Sequence, residues 1–258
     1  MQRNVRLIIE YDGSNYHGWQ SQAGSGRTTV QEAVERAIRE ISHDEARLYS
    51  SGRTDAGVHA FGHVANFATT KTMPAEAWAP ALNHLLPRDI RVLRSDEVAP
   101  DFHARYSASG KTYKYVVLNR PAPSALHRNR AWQISRKLDL PAMRRAAGYL
   151  HGTHDFSAFR ASTCSAKNPV RSLKTLTIKR GGDFIEIVLL ADAFLQHMAR
   201  NIVGILIEVG LGRFKAGEVK RILNSKDRTL AGRTAPAYGL YLMEVYYKND
   251  ARRVRQKS

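Results

Sequence analysis

The chain has 258 residues, with 40 Lys+Arg against 23 Asp+Glu and a formal net charge of +17, a balance that draws polyanions to its surface. A 43% hydrophobic and 24% charged composition excludes wholesale disorder. A single cysteine, Cys164, excludes a disulfide framework and any cysteine-rich zinc or iron–sulfur site.

Residues 5–11 read as a strand closed by Asp12-Gly13. The segment 28–41 is predicted to be a helix, because Val30, Ala33, Val34, Ala37, Ile38 and Ile41 recur at helical spacing. Thr28 or Thr29, with Gln31 or Glu32 three residues on, forms a capping-box start, and Glu32–Arg36 and Glu35–Arg39 are expected pairs on its wet face. The preceding Gly24-Ser-Gly-Arg-Thr28 lacks both the GxxxxGK[ST] pattern and a preceding strand, so it reads as a mobile loop and not a phosphate cradle. A strand at 47–51 runs into the glycine-punctuated turn 52–57, followed by a strand at 63–69, a helix at 75–86 and a strand at 90–98.

The second half opens with a strand at 111–118 and a helix at 140–150, with Pro141 in its first turn. Strands at 172–179 and 184–190 flank Gly181-Gly182-Asp183 as a hairpin. A largely apolar helix at 194–209, a short one at 217–224 and a closing strand at 239–247 complete the chain. This order predicts an α+β protein of two lobes with mostly antiparallel sheets, 1–105 and 106–248, followed by a loose basic tail at 249–258. The longest apolar run, 202–209, is far short of the ~18 residues of a membrane span and already contains Glu208. The opening MQRNVRLIIEYDG has no long apolar core or cleavage site, so no secretion signal and no membrane association are expected, and the reading is a soluble, cytoplasmic protein.

The basic residues are dispersed, which suits a broad phosphate-tracking surface better than one recognition helix. The densest polar segment is Gly52-Arg53-Thr54-Asp55-Ala56-Gly57-Val58-His59. An arginine beside an aspartate favours the ionised carboxylate that a nucleophile or general base requires. Residue types alone do not separate this from a plain turn in which Asp55 bonds its own backbone. On the 194–209 helix, Leu195, Met198, Ala199, Ile202, Ile205, Leu206 and Val209 form a core stripe, while His197, Arg200, Asn201 and Gly204 share another face. Arg200 in so apolar a helix either reaches the surface or meets a carboxylate or phosphate. Tyr113 and Tyr115 point to one face of a strand beside Lys111, either as a base-stacking platform or as core tyrosines. Phe102-His-Ala-Arg105-Tyr106 has the same basic-aromatic character. His59 with His63, and His151 with His154 and Asp155, have metal-like spacing but no evident third ligand, so no metal and no nucleotide cofactor is expected.

The segment 52–60 strongly resembles the signature of the TruA family of tRNA pseudouridine synthases. So do Tyr11-Asp-Gly-(x)2-Tyr-x-Gly-Trp-Gln20, Asp101-Phe-His-Ala-Arg105, Lys111-Thr-Tyr-Lys-Tyr115 and His154-Asp-Phe-Ser-Ala-Phe159. Ala193-Phe-Leu-Gln-His-Met-Ala-Arg-Asn-Ile-Val-Gly204 and Gly232-Arg-Thr-Ala-Pro-Ala237 complete a series in the family's order over nearly the whole chain. Gln196 departs from the His found in many relatives, with no clear consequence. The resemblance implies isomerisation of uridine to pseudouridine at tRNA positions 38, 39 and 40 in the anticodon stem-loop, without a cofactor. It implies Asp55 as the catalytic carboxylate, Arg200 as its ion-pair partner, Tyr113 packed on the target base and Arg53 holding the displaced nucleotide. Two RRM-like (ferredoxin-like) lobes around a central basic cleft, and a homodimer bridged by tRNA, are implied with them. The alternative from another class is a non-catalytic tRNA-binding protein on the same fold. A nuclease reading lacks the His or metal-carboxylate set that phosphodiester cleavage usually needs.

Overall fold

The computed structural model of the protein describes residues 2–20, 28–43 and 45–248. Residues 24–27 of the loop expected at 24–28, and the basic tail expected at 249–258, lie outside the described residues. In chain order the elements are β1 (Arg3–Tyr11), α1 (Val30–Ser42), β2 (Tyr49–Ser50), β3 (His59–Thr69), α2 (Trp78–Leu85), β4 (Ile90–Val98), β5 (Ala108–Leu118), β6 (Trp132–Gln133), α3 (Leu140–Gly148), β7 (Gly152–Asp155), β8 (Val170–Gly181), β9 (Phe184–Ala191), α4 (Met198–Gly210), α5 (Ala216–Ser225) and β10 (Leu240–Tyr247). The class is α+β with mostly antiparallel pairing; β5 and β6 run parallel, so the pairing is mixed. No helix among the described residues is long and apolar enough to cross a membrane.

Two compact units divide the chain: Met1–Ser109 with the chain from Leu242 onward, and Gly110–Tyr241. In the first, the strand order is β4-β1-β3-β10, with β2 also on β3. Strand β1 pairs antiparallel with β3 through Val5↔Phe67, Leu7↔Ala65 and Ile9↔His63, and its odd-numbered residues from Val5 to Tyr11 are buried. The edge-on meeting of Phe67 and Trp78 at 4.9 Å ties β3 to α2. Burial of each such large side chain stabilises the unit by roughly 1.5–3 kcal/mol.

Helix α1 starts at the predicted capping box: the Thr29 hydroxyl accepts from Glu32 N and the Glu32 carboxylate accepts from Thr29 N. The two glutamates expected to pair along its wet face have other work. Glu32 closes the cap, and Glu35 accepts from Gln31 and from the backbone N–H of Leu48. A glutamate that can satisfy an orphan backbone donor gains more than one in an exposed ion pair.

In the second unit the order is β5-β9-β8-β7, with β6 on β5. The β8–β9 hairpin turns through Gly182-Asp183, and Gly182 has φ of +59°, the left-handed geometry such a tight turn needs. Strand β9 buries Ile185, Ile187, Leu189 and Ala191, opposite Val117, Tyr115, Tyr113 and Lys111 of β5. Helix α4 starts at Met198, four residues later than the apolar pattern predicts, because His197 before it is left-handed (φ +62°). It is buried on nearly all sides, with α3 packed against it. The short strands β6 and β7 are too brief to carry a period in the sequence.

Candidate active site

Asp55 stands in the first unit, between β2 and β3. Its carbonyl accepts the N–H of Val58 at 3.1 Å, and Gly57 has φ of +80°. That pairing defines a four-residue turn whose third position requires the left-handed region, which explains the glycine. The Asp55 side chain is half-buried, and Thr54 before it is buried. The Thr54 hydroxyl lies 2.7 Å from the Tyr11 hydroxyl, and its carbonyl accepts Trp19 N–H at 3.1 Å. Tyr11 follows a register shift in β1, the kind of local irregularity that re-aims a side chain.

The segment 12–20 seats this turn. A Cβ on Gly13 would stand 2.0 Å from the Val58 carbonyl oxygen, and one on Gly18 would stand 2.4 Å from that of Thr54. Gly18 also has φ of +82°. Backbone therefore lies directly on backbone, which no side chain would permit. Tyr16 donates to Asp89 at 2.5 Å and holds the far side of the segment; burial and this carboxylate push its hydroxyl pKa up. Gly18→Ala is expected to cost about 2–4 kcal/mol, read as a lowered urea midpoint, and to displace Asp55. Parent-like stability in that variant would show that the two segments do not touch as described.

Arg53 is exposed, and its Nε donates to Gln20 Oε1 at 2.7 Å. Gln20 has no charge to draw attention; its only sequence signal is its place at the end of the Tyr11–Gln20 series. The histidines with metal-like spacing separate in role. His59 Nδ1 accepts the N–H of Gly13 at 3.1 Å, while His63 stacks on Trp19 with ring centroids 3.7 Å apart. No group of three metal-ligating side chains occurs among the described residues.

Tyr113 and Arg200 belong to the second unit. Tyr113 on β5 is 9% exposed and meets Phe194 edge-on at 4.9 Å. Tyr115, offered by the sequence as part of the same platform, is fully buried. Its hydroxyl donates to the Pro236 carbonyl at 2.8 Å, burial pushes its pKa up, and a Cβ on Gly239 would touch its ring at 2.6 Å. Tyr115 is thus a core residue, because the ring fills the space that Gly239 vacates.

Arg200, in the first turn of α4, donates from Nε to the Ala235 carbonyl at 2.8 Å, and Ala235 N–H returns a bond to the Arg200 carbonyl at 3.1 Å. The loop 232–237 lies hard on the helix, since a Cβ at Gly204 would sit 1.9 Å from the Arg233 carbonyl oxygen. Buried Asn201 donates to the Phe159 carbonyl and accepts from Arg228 and Thr234, joining the β7–β8 and α5–β10 connections at one side chain. Buried Glu208 holds Arg213 and Arg233 at 2.8 Å each, and the Arg233 guanidinium lies 4.6 Å over the Trp132 ring. Arg228 carries no signal in the sequence, and Asn201 and Glu208 are noted there only by position, because sequence reasoning cannot distinguish a buried polar anchor from a surface one. The chemistry available is that of a fixed carboxylate turn in one unit, and of a guanidinium and an aromatic ring, each held by its own packing, in the other.

Comparison with known proteins bears on what these parts are for. The family described as tRNA pseudouridine synthase matches residues 7–107 and 146–248, leaving Tyr113 outside the matched stretches. The chain is 51% identical over 245 residues to tRNA pseudouridine synthase A of Acetivibrio thermocellus, covering 95% of this chain and all of the relative. It is 50% identical to tRNA pseudouridine synthase A of Thermoanaerobacter sp., with the same coverage. Against the protein of that name in Rhodospirillum centenum the identity is 46%, over 94% of this chain and 98% of the relative.

Proposed function

The chain belongs to the tRNA pseudouridine synthase family and is an isomerase of that kind; from that premise we propose that it converts uridine to pseudouridine at tRNA positions 38, 39 and 40, with Asp55 as the reacting carboxylate. The observation that carries this reading is the Asp55 turn. Its backbone is closed by its own hydrogen bond and seated on the 12–20 segment, so the main chain that carries a half-buried aspartate is fixed before substrate arrives.

The reaction breaks the N1–C1′ bond, turns the uracil and makes a C5–C1′ bond; C5 loses its hydrogen as a proton and N1 gains one, so the product is an isomer of the substrate. Nothing is oxidised and no water is consumed, so the step requires no cofactor. The carboxylate either attacks C1′ directly or removes a ribose proton to give a glycal. Either route needs the base outside its stack. Tyr113 packs on the extruded base, Arg200 pairs with Asp55, and Arg53, already braced by Gln20, holds the displaced nucleotide. Two RRM-like lobes around a basic cleft, a homodimer bridged by one tRNA, and a cytoplasmic setting complete the proposal. Phosphate contacts from the dispersed lysines and arginines supply affinity that falls steeply with salt.

The test is tritium release from a tRNA transcript labelled at uridine C5, since forming the C5–C1′ bond expels that atom. Absence of release from anticodon arms containing uridine at the three positions, with tRNA still bound, overturns the proposal in favour of a binding protein. Tyr113→Phe run alongside is expected to stay within about tenfold of the parent, because the ring that packs on the base is kept. Complete inactivity of that variant would assign the hydroxyl a chemical task instead.

A further inference from the structure

One surface of the first unit has no part in the chemistry above. Tyr49 at the start of β2 stands 5.1 Å from the His103 ring, and His103 stands 4.4 Å from Tyr106. The Arg47 guanidinium lies 5.7 Å from the Tyr49 ring centre, and that of Arg105 lies 5.7 Å from Tyr106. The result is a chain of three aromatic rings with an arginine at each end. Tyr106 is 77% exposed and Tyr49 41% exposed, so neither ring contributes much to the core.

The loop that presents His103, Arg105 and Tyr106 is held firmly from beneath. Buried Asn4 donates to the Ala99 and Phe102 carbonyls at 3.1 and 2.9 Å. Asn66, also buried, donates to Asn4 at 2.9 Å and accepts from Ala104 N–H at 2.8 Å. The Tyr247 hydroxyl donates to the Ala104 carbonyl at 2.7 Å. Two buried asparagines thus fix the loop, His103 Nδ1 braces it further by accepting the Arg105 N–H at 3.1 Å, and the exposed Tyr106 ring contributes little to the core. An exposed aromatic on a rigid loop loses little freedom on meeting a ligand, which is the arrangement of a binding surface. Beside it lies a cavity of about 250 Å³, lined among others by Tyr49, Asn66, Asp101, Phe102 and His103.

We propose that the Arg47–Tyr49–His103–Tyr106–Arg105 ladder is a second RNA contact, stacking an unpaired nucleotide of the bound tRNA other than the target uridine. The proposal rests on the reading of the chain as a tRNA enzyme. Rings flanked by guanidinium groups match what unpaired bases and their phosphates recognise. A protein partner is a poorer fit to a surface this basic on a chain of net charge +17. Reach is compatible as well. Tyr49 and Asp55 are six positions apart in the chain, so their Cα atoms are at most about 22 Å apart, within the span of a short run of nucleotides.

The experiment compares full-length tRNA transcript binding and pseudouridine formation for the parent, Tyr106→Ala, Tyr49→Ala and Tyr106→Phe. Tyr106→Ala is expected to raise Kd and KM about 5- to 140-fold, the range for losing one stacked base, with kcat within twofold of the parent. Tyr106→Phe should bind like the parent, because the ring is retained. An unchanged Kd in both alanine variants, with an active parent, overturns the ladder while leaving the enzyme reading intact. Equal loss in Tyr106→Phe overturns stacking in favour of a hydroxyl contact. A changed sedimentation coefficient with parent-like tRNA affinity overturns it in favour of a protein surface. Parent protein that forms no pseudouridine fails the enzyme reading, independently of the ladder.

Discussion

Asp55→Asn is expected to lower kcat by about 10³-fold or more while leaving the Kd for tRNA unchanged or slightly tighter. The turn is closed by backbone, since the bond from Val58 N–H ends on the Asp55 carbonyl. Its seat is likewise backbone, on Gly13 and Gly18. An amide of the same shape therefore occupies the same place but can neither attack C1′ nor accept a ribose proton. Loss of one negative charge facing a polyanion does not weaken binding. Asp55→Glu extends the group by one methylene and is expected to be nearly as inactive, since an error of about 1 Å at the reacting atom costs about 10²-fold. Single-turnover tritium release with filter binding measures both terms, and an Asn variant within tenfold of the parent removes Asp55 from the chemistry.

Much of the fold was legible because its signals are local. Val5 to Tyr11 alternates, α1 carries both an apolar stripe and a Thr29–Glu32 box, and Gly182 sits where a two-residue hairpin demands it. The start of α4 was misread because Phe194 and Leu195 continue the apolar pattern, while the left-handed His197 that interrupts it is set by the surrounding packing. Nothing in the composition of 240–247 says which edge a closing strand will join; its place beside β3 is a tertiary outcome.

The candidate site was legible in a different way. Asp55 stood out only through the family resemblance, for its residue types equally describe an ordinary turn. What holds it was largely invisible. The closeness of Gly18 to the Thr54 carbonyl and the Tyr11–Thr54 hydroxyl contact join residues 36 and 43 positions apart in the chain, and no period encodes such distances. Tyr113 and Tyr115 show the limit most plainly. Alternation put both on one face correctly, yet only the space left by Gly239 decides that the second is sealed in the core.

Arg200→Lys is expected to lower activity by at least about 10²-fold, in kcat more than in KM, although the positive charge is retained. The Arg200 guanidinium already donates from Nε to the Ala235 carbonyl at 2.8 Å, and the reciprocal bond from Ala235 N–H fixes the residue's backbone. With one edge anchored, the planar fork keeps its direction toward a carboxylate, which a compact ammonium on a flexible stem does not. Stability should fall by only about 1 kcal/mol, the net worth of the lost bond to Ala235, so melting separates misfolding from misalignment. The proposed pairing with Asp55 makes a stronger demand. If Arg200 acts through that carboxylate, Asp55→Asn with Arg200→Lys should be no slower than Asp55→Asn alone, because the lysine has nothing left to misplace. Losses that multiply would instead mean that Arg200 serves the substrate directly, and that Asp55 draws its orientation from its own turn.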